Sequence, residues 1–121
     1  MLSFRTLRAK PGCVKKLPSD FVYLPEMRAS SYFPPHLVDK VRDAIRDVVT
    51  FIEAGGRSKE QIQEKLDAMT ERINDLQSEF EDAGSEIETG ARESIGDTVG
   101  RILEYFQIDI DVETAIGARD W

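Results

Sequence analysis

The sequence is short of the residues that carry most enzyme chemistry. Its 121 residues include one histidine, His36, and one cysteine, Cys13. A lone cysteine cannot build an internal disulfide, so a reducing compartment is expected and the core must hold the fold by itself. His36 cannot belong to a Glu-x-x-His di-iron pair, because Phe33 stands three residues before it. There is no glycine-rich phosphate loop and no Gly-x-Ser-x-Gly. Cys13 lies close to Lys15 and Lys16, cations that lower a thiol pKa, but only His36 could serve it as a base. Both residues therefore read as non-catalytic. No apolar run approaches the ~18 residues of a membrane span, so no membrane partner is expected.

Charge of one sign is also scarce where the chain is longest. The total is 16 Lys and Arg against 23 acids, a net charge of −7. Residues 1–35 hold six Lys/Arg against Asp20 and Glu26, whereas the remainder holds ten against twenty-one. An acidic body repels phosphates, which argues against nucleic acid and favours a basic protein partner. The opening, "MLSFRTLRAKPGCVKKLPSD", is basic but has no continuous apolar stretch, which argues against a secretory signal. It is poor in acids, as organellar transit peptides are. A disordered extension over 1–20, ahead of one helical domain over 21–121 in a cytoplasmic protein, is the preferred reading.

Helical periodicity dominates the rest. Ser19 or Asp20 is a possible cap for a helix holding Phe21, Leu24 and Met27, which Pro25 keeps short. Pro34 forces Phe33 out of helical angles and Pro35 suits a first helical position, with Tyr32 and Phe33 available as a hydrophobic staple. A helix over 35–54 follows, with Leu37, Val41, Ile45, Val48 and Ile52 on one stripe, ended by Gly55-Gly56. Ser58 and Gln61 form a capping box. Ile62, Leu66, Met69, Ile73, Leu76 and Phe80 then alternate by four and three, the seam of a bundle helix. Gly84 closes that helix. Ser85 and Glu88 look like a second capping box, opening a helix with Ile87, Ala91, Ile95, Val99, Ile102 and Phe106 on one face. Gly96-Asp97 is a candidate break in it, and glycines on one side could let a neighbour approach closely. Asp111 caps a short last helix with Val112, Ala115 and Ile116. The fold class is all-α: a small antiparallel bundle of three main helices plus short flanking ones.

The acids of "SEFEDAGSEIETGARESIG" (78–96) are the one unusual concentration of chemistry. In the expected structure Glu86 and Glu88 occupy a first helical turn, where the dipole favours anions. Glu79, Glu81 and Asp82 occupy a last turn, where each costs ~0.3–1 kcal/mol. Arg72, Arg92 and Arg119 are candidate partners. The spacing is not that of an EF-hand. Glu79 and Asp82 form one Glu-x-x-Asp pair, such as all-α nucleotide pyrophosphatases use for magnesium, without a Glu-x-x-Glu mate. Asp75, Glu79, Asp82 and Glu86 would share a face only if the helix ran through Gly84. Trp121 reads as an anchor for the end of the chain, with Arg119 and Asp120 pairing nearby, or as a ring awaiting a partner.

Three stretches, "SYFPPHLVDK" (31–40), "INDLQSEFEDAGSEIETGARESI" (73–95) and "ARDW" (118–121), resemble a family of small, mainly bacterial proteins known only as a domain of unknown function. The resemblance spans about residues 21–121 and implies a helical domain without implying an activity. Three functions compete. The preferred one is a non-catalytic binding or regulatory module with a basic partner, for which Glu79, Glu81, Asp82, Arg92, Arg119 and Trp121 are contact candidates. The second is a divalent-metal-dependent hydrolase of a nucleotide or other phosphorylated compound, with Asp75, Glu79, Asp82 and Glu86 as ligands. The third is a self-associating subunit, such as a homodimer, using the 62–80 seam or the 37–52 stripe. No organic cofactor is implied.

Overall fold

The computed structural model describes residues 15–121; Cys13 and most of the basic extension lie outside the described residues. The chain forms α1 (Pro25–Ala29), α2 (Pro35–Glu53), α3 (Lys59–Asp82), α4 (Thr89–Tyr105) and α5 (Val112–Ala115). No helix among the described residues is long and apolar enough to cross a membrane.

The three longer helices arise where periodicity places them. On α2 the buried residues are Leu37, Val38, Val41, Ala44, Ile45, Val48 and Val49. On α3 the whole seam from Ile62 to Phe80 is buried. At the start of α3 the capping box is reciprocal: Gln61 N–H donates to Ser58 Oγ at 3.1 Å and Ser58 N–H donates to Gln61 Oε1 at 2.9 Å. Three contacts fix α2 and α3 as antiparallel. Lys40, early in α2, meets Glu79, late in α3, at 2.7 Å. Asp47 and Arg72 pair at mid-length. Near the turn, the Lys65 ammonium lies 5.5 Å from the Phe51 ring centre. The 62–80 seam is thus used up inside the chain.

Helix α4 is approached by the two short helices. Ser94 Oγ donates to Glu26 of α1 at 2.9 Å, and Leu24 N–H donates to Thr98 Oγ1 at 2.9 Å. Phe33 packs on Phe80 of α3, with ring centres 6.4 Å apart. Three details depart from sequence expectation. Neither Ser19 nor Asp20 caps α1, which starts at Pro25 behind a left-handed Leu24 (φ 54°). Helix α4 runs unbroken through Gly96-Asp97, and Asp97 instead accepts from Arg101 one turn on. The glycines there serve packing: a Cβ on Gly100 would sit 2.9 Å from Val112 Cγ2 of α5.

The third departure concerns Ser85. Helix α3 ends in a Schellman motif, with Gly84 left-handed (φ 78°). Gly84 N–H donates to Glu81 O at 3.0 Å and Ser85 N–H to Phe80 O at 2.8 Å. Ser85 therefore finishes α3 and does not open α4. The chain stays non-helical through Glu88, and Ile87 is buried before α4 begins at Thr89. Burying an isoleucine is worth ~1.5–3 kcal/mol, more than the ~1 kcal/mol of a capping box. Asp111, by contrast, caps α5 as its sequence context predicts, accepting from Glu113 N–H at 3.0 Å and Thr114 N–H at 3.3 Å. The Thr114 hydroxyl bond and these amides hold the Asp111 carboxyl below its ordinary pKa.

Residues just before α1 lie on the bundle. Lys15 Nζ donates to Tyr105 O at 2.7 Å, Tyr105 OH donates to Lys16 O at 2.8 Å, and Leu17 N–H donates to Glu53 Oε2 at 2.8 Å.

Candidate functional site

The acidic corner is built on the end of α3. Phe80 is fully buried there, and Phe33 stands edge-on against it. Tyr32 stacks edge-to-face on Phe33, with centres 5.1 Å apart, and is itself 47% exposed. An aromatic path thus runs from the core to a ring standing in solvent.

The acids lie before and after Phe80 along the chain without converging. Asp75, Glu81, Asp82, Glu86 and Glu88 are all exposed. Among the described residues Glu79 alone of these acids has an ion pair, with Lys40. Among the described residues no three His, Cys, Asp or Glu side chains come together as metal ligands. Asp75, Glu79, Asp82 and Glu86 fall on either side of the Gly84 reversal, three on α3 and one beyond it. Glu86 and Glu88 do not occupy a first helical turn: Glu86 lies in the extended link and Glu88 is the N-cap residue, without a side-chain capping bond. Glu88 still stands at the amide end of α4, where an anion is favoured.

The three arginines named as neutralising partners serve elsewhere. Arg72 pairs with Asp47. Arg119 reaches Ile116 O and Glu113 Oε1, each at 3.2 Å. Arg92 Nε donates to Trp121 O at 3.4 Å. Glu81, Asp82, Glu86 and Glu88 have no ion pair among the described residues, which leaves the corner strongly negative.

Behind the corner, α3 clamps the last residues of the chain. Asn74 Nδ2 donates to Ala118 O, and Asn74 Oδ1 accepts from Asp120 N–H, both at 3.1 Å. This side chain satisfies the backbone as a neighbouring strand would. Gln77 donates to the Asp120 carboxylate. Trp121 packs half-buried against the core, its indole N–H buried without a partner among the described residues, as is the Ser85 hydroxyl. Sequence reasoning did not single out Asn74 or Gln77, and it gave Tyr32 only a place in a hydrophobic staple. The available signal was two amide side chains one turn apart, flanking an apolar seam.

These contacts bring together the three stretches that carry the family resemblance. Residues 31–40 meet 73–95 through Phe33–Phe80 and Lys40–Glu79, and 118–121 meets 73–95 through Asn74, Gln77 and Arg92. No curated protein and no solved structure matches the chain. A family model does, over residues 18–121: the chain belongs to DUF5713, a family of unknown function.

Proposed function

We infer that the protein is a non-catalytic binding module whose acidic corner docks a basic protein partner. One observation carries this reading: an exposed aromatic, Tyr32, is linked through Phe33 to Phe80 on a helix end where exposed Glu81 and Asp82, with Glu86 and Glu88 just beyond, form no ion pair among the described residues. An aromatic anchor inside a charged rim suits protein recognition. The rim would steer a cationic partner and the ring would supply apolar contact. Glu79, Glu81 and Asp82 are the contacts on α3. Arg92 and Trp121 act from behind, by fixing the end of the tail to α4, and Arg119 by tying the tail to α5. Carboxylates spread over the surface attract a basic protein but do not share one cation, so nothing favours the hydrolase reading.

The test is capture of partners at graded salt by the native chain and by a Glu81→Gln, Asp82→Gln, Glu86→Gln triple variant. Basic proteins should bind the native chain, weaken as salt rises, and be lost by the variant. Tyr32→Ala should lower affinity without changing the salt dependence. Identical partners and salt profiles for native and triple-variant chains would sink the proposal.

A further inference from the structure

A second region has the make-up of a small-molecule site. A cleft of 330 Å³ lies between residues 17–23 and the second half of α2. Its apolar surfaces include Leu17, Phe21 and Val49; its polar groups include Tyr23, Arg46 and Glu53. This volume is in the range of small-ligand pockets.

The charges in the cleft are separated. Arg46 and Glu53 are seven residues apart on α2, so their backbones are ~10.5 Å apart on one helix face. They make no ion pair with each other, and Arg46 makes none with any described residue. Glu53 Oε2 accepts from Leu17 N–H at 2.8 Å, and Oε1 has no described partner. The Tyr23 hydroxyl lies in the field of both. Burial raises its pKa first, Arg46 opposes this and Glu53 reinforces it. The phenol therefore stays protonated at neutral pH, able to donate and to accept.

A purely anionic ligand would be drawn to Arg46 and repelled by Glu53, and a purely cationic one the reverse. A ligand carrying both charges, set apart by a short apolar spacer, satisfies both ends and lays its spacer on Val49 and Phe21. The geometry points to this cleft as a binding site for small zwitterions of the ω-amino-acid class, the carboxylate on Arg46 and the ammonium on Glu53. The groove beside α5 offers no equivalent. It measures 390 Å³, but Asp111 there is engaged in capping and Lys59 faces Asp109 at 3.9 Å.

The test is calorimetric titration of the full chain with aminohexanoate, beside hexanoate and hexylamine, which each carry one of the two charges. Aminohexanoate should bind in the millimolar range and the two monofunctional compounds should not. Arg46→Gln and Glu53→Gln should each weaken binding about ten-fold or more, the loss of one charge-assisted contact. Both variants should keep the native melting profile. Arg46 is exposed, and in Glu53→Gln the new amide oxygen can still accept from Leu17 N–H. Arg46→Lys should retain part of the affinity. The proposal is overturned by an absence of aminohexanoate binding, by equal binding of hexanoate or hexylamine, or by undiminished binding in both glutamine variants.

Discussion

Along α2 and α3 every buried side chain except Thr70 is apolar, whereas α4 buries Ser94 and Thr98 within its apolar face. Thr70 satisfies itself locally, donating to Leu66 O of its own helix at 2.7 Å. Ser94 and Thr98 are satisfied by α1 and by the residue before it, 68 and 74 positions away in sequence. The α2–α3 hairpin is thus specified by patterns inside each helix and by apolar burial that needs no particular partner. Helix α4, with three glycines and two buried hydroxyls, is specified by what comes to it.

The contrast can be tested by substitution, beginning with the largest effect. Phe80→Ala should destabilise the protein by ~3–5 kcal/mol in urea unfolding, because the ring is wholly buried beneath Phe33. A much smaller loss would mean that the hairpin is less dependent on apolar packing than its burial indicates. Thr98→Val keeps the shape but removes the acceptor for Leu24 N–H, so a loss of ~1–3 kcal/mol is expected. Thr70→Val should cost well under ~1 kcal/mol, because the Leu66 carbonyl keeps its helical bond. Equal effects at 70 and 98 would erase the difference between the two regions.

The glycines of α4 provide a sharper pair. Gly90 has open space around it, so Gly90→Ala should stabilise by up to ~1 kcal/mol through helix propensity. Gly100→Ala gains the same propensity but drives its methyl into Val112, and overpacking of ~1–3 kcal/mol leaves a net loss. Thermal melts showing opposite signs would confirm that α5 is seated against Gly100. A gain of similar size to that at Gly90 is expected at the end of α4, where Gln107 holds the left-handed Schellman position (φ 56°) that Gly84 fills after α3. Gln107→Gly should raise stability by about 1 kcal/mol at most. A loss would show that the Gln107 side chain makes a contribution not visible in its backbone.

The candidate site was legible to a lesser degree than the fold. The helix expected over 35–54 is Pro35–Glu53, the Ser58 cap is in place, and α3 stops at Gly84 as its sequence demands. These follow from bonds and burial within a few turns. The Ser85-x-x-Glu88 pattern misled because a capping box is worth less than burying Ile87 and closing α3. The expected pairing of Arg72, Arg92 and Arg119 with the acids failed for a different reason. Long side chains choose among partners that only the fold brings within reach, and Asp47, Glu113 and the Trp121 carbonyl were nearer.

The sequence by itself determined which segments become helices, which face of each turns inward, and that negative charge collects around Gly84. Local backbone bonding and side-chain periodicity suffice for those. Only the tertiary structure decided that Asn74 clamps residues 118–120, that Val112 lies on Gly100, and that Arg46 and Glu53 look into one cleft beside Tyr23. Each is a meeting of residues distant along the chain or of long, flexible side chains. No periodicity encodes such meetings, because they depend on how whole helices settle against one another.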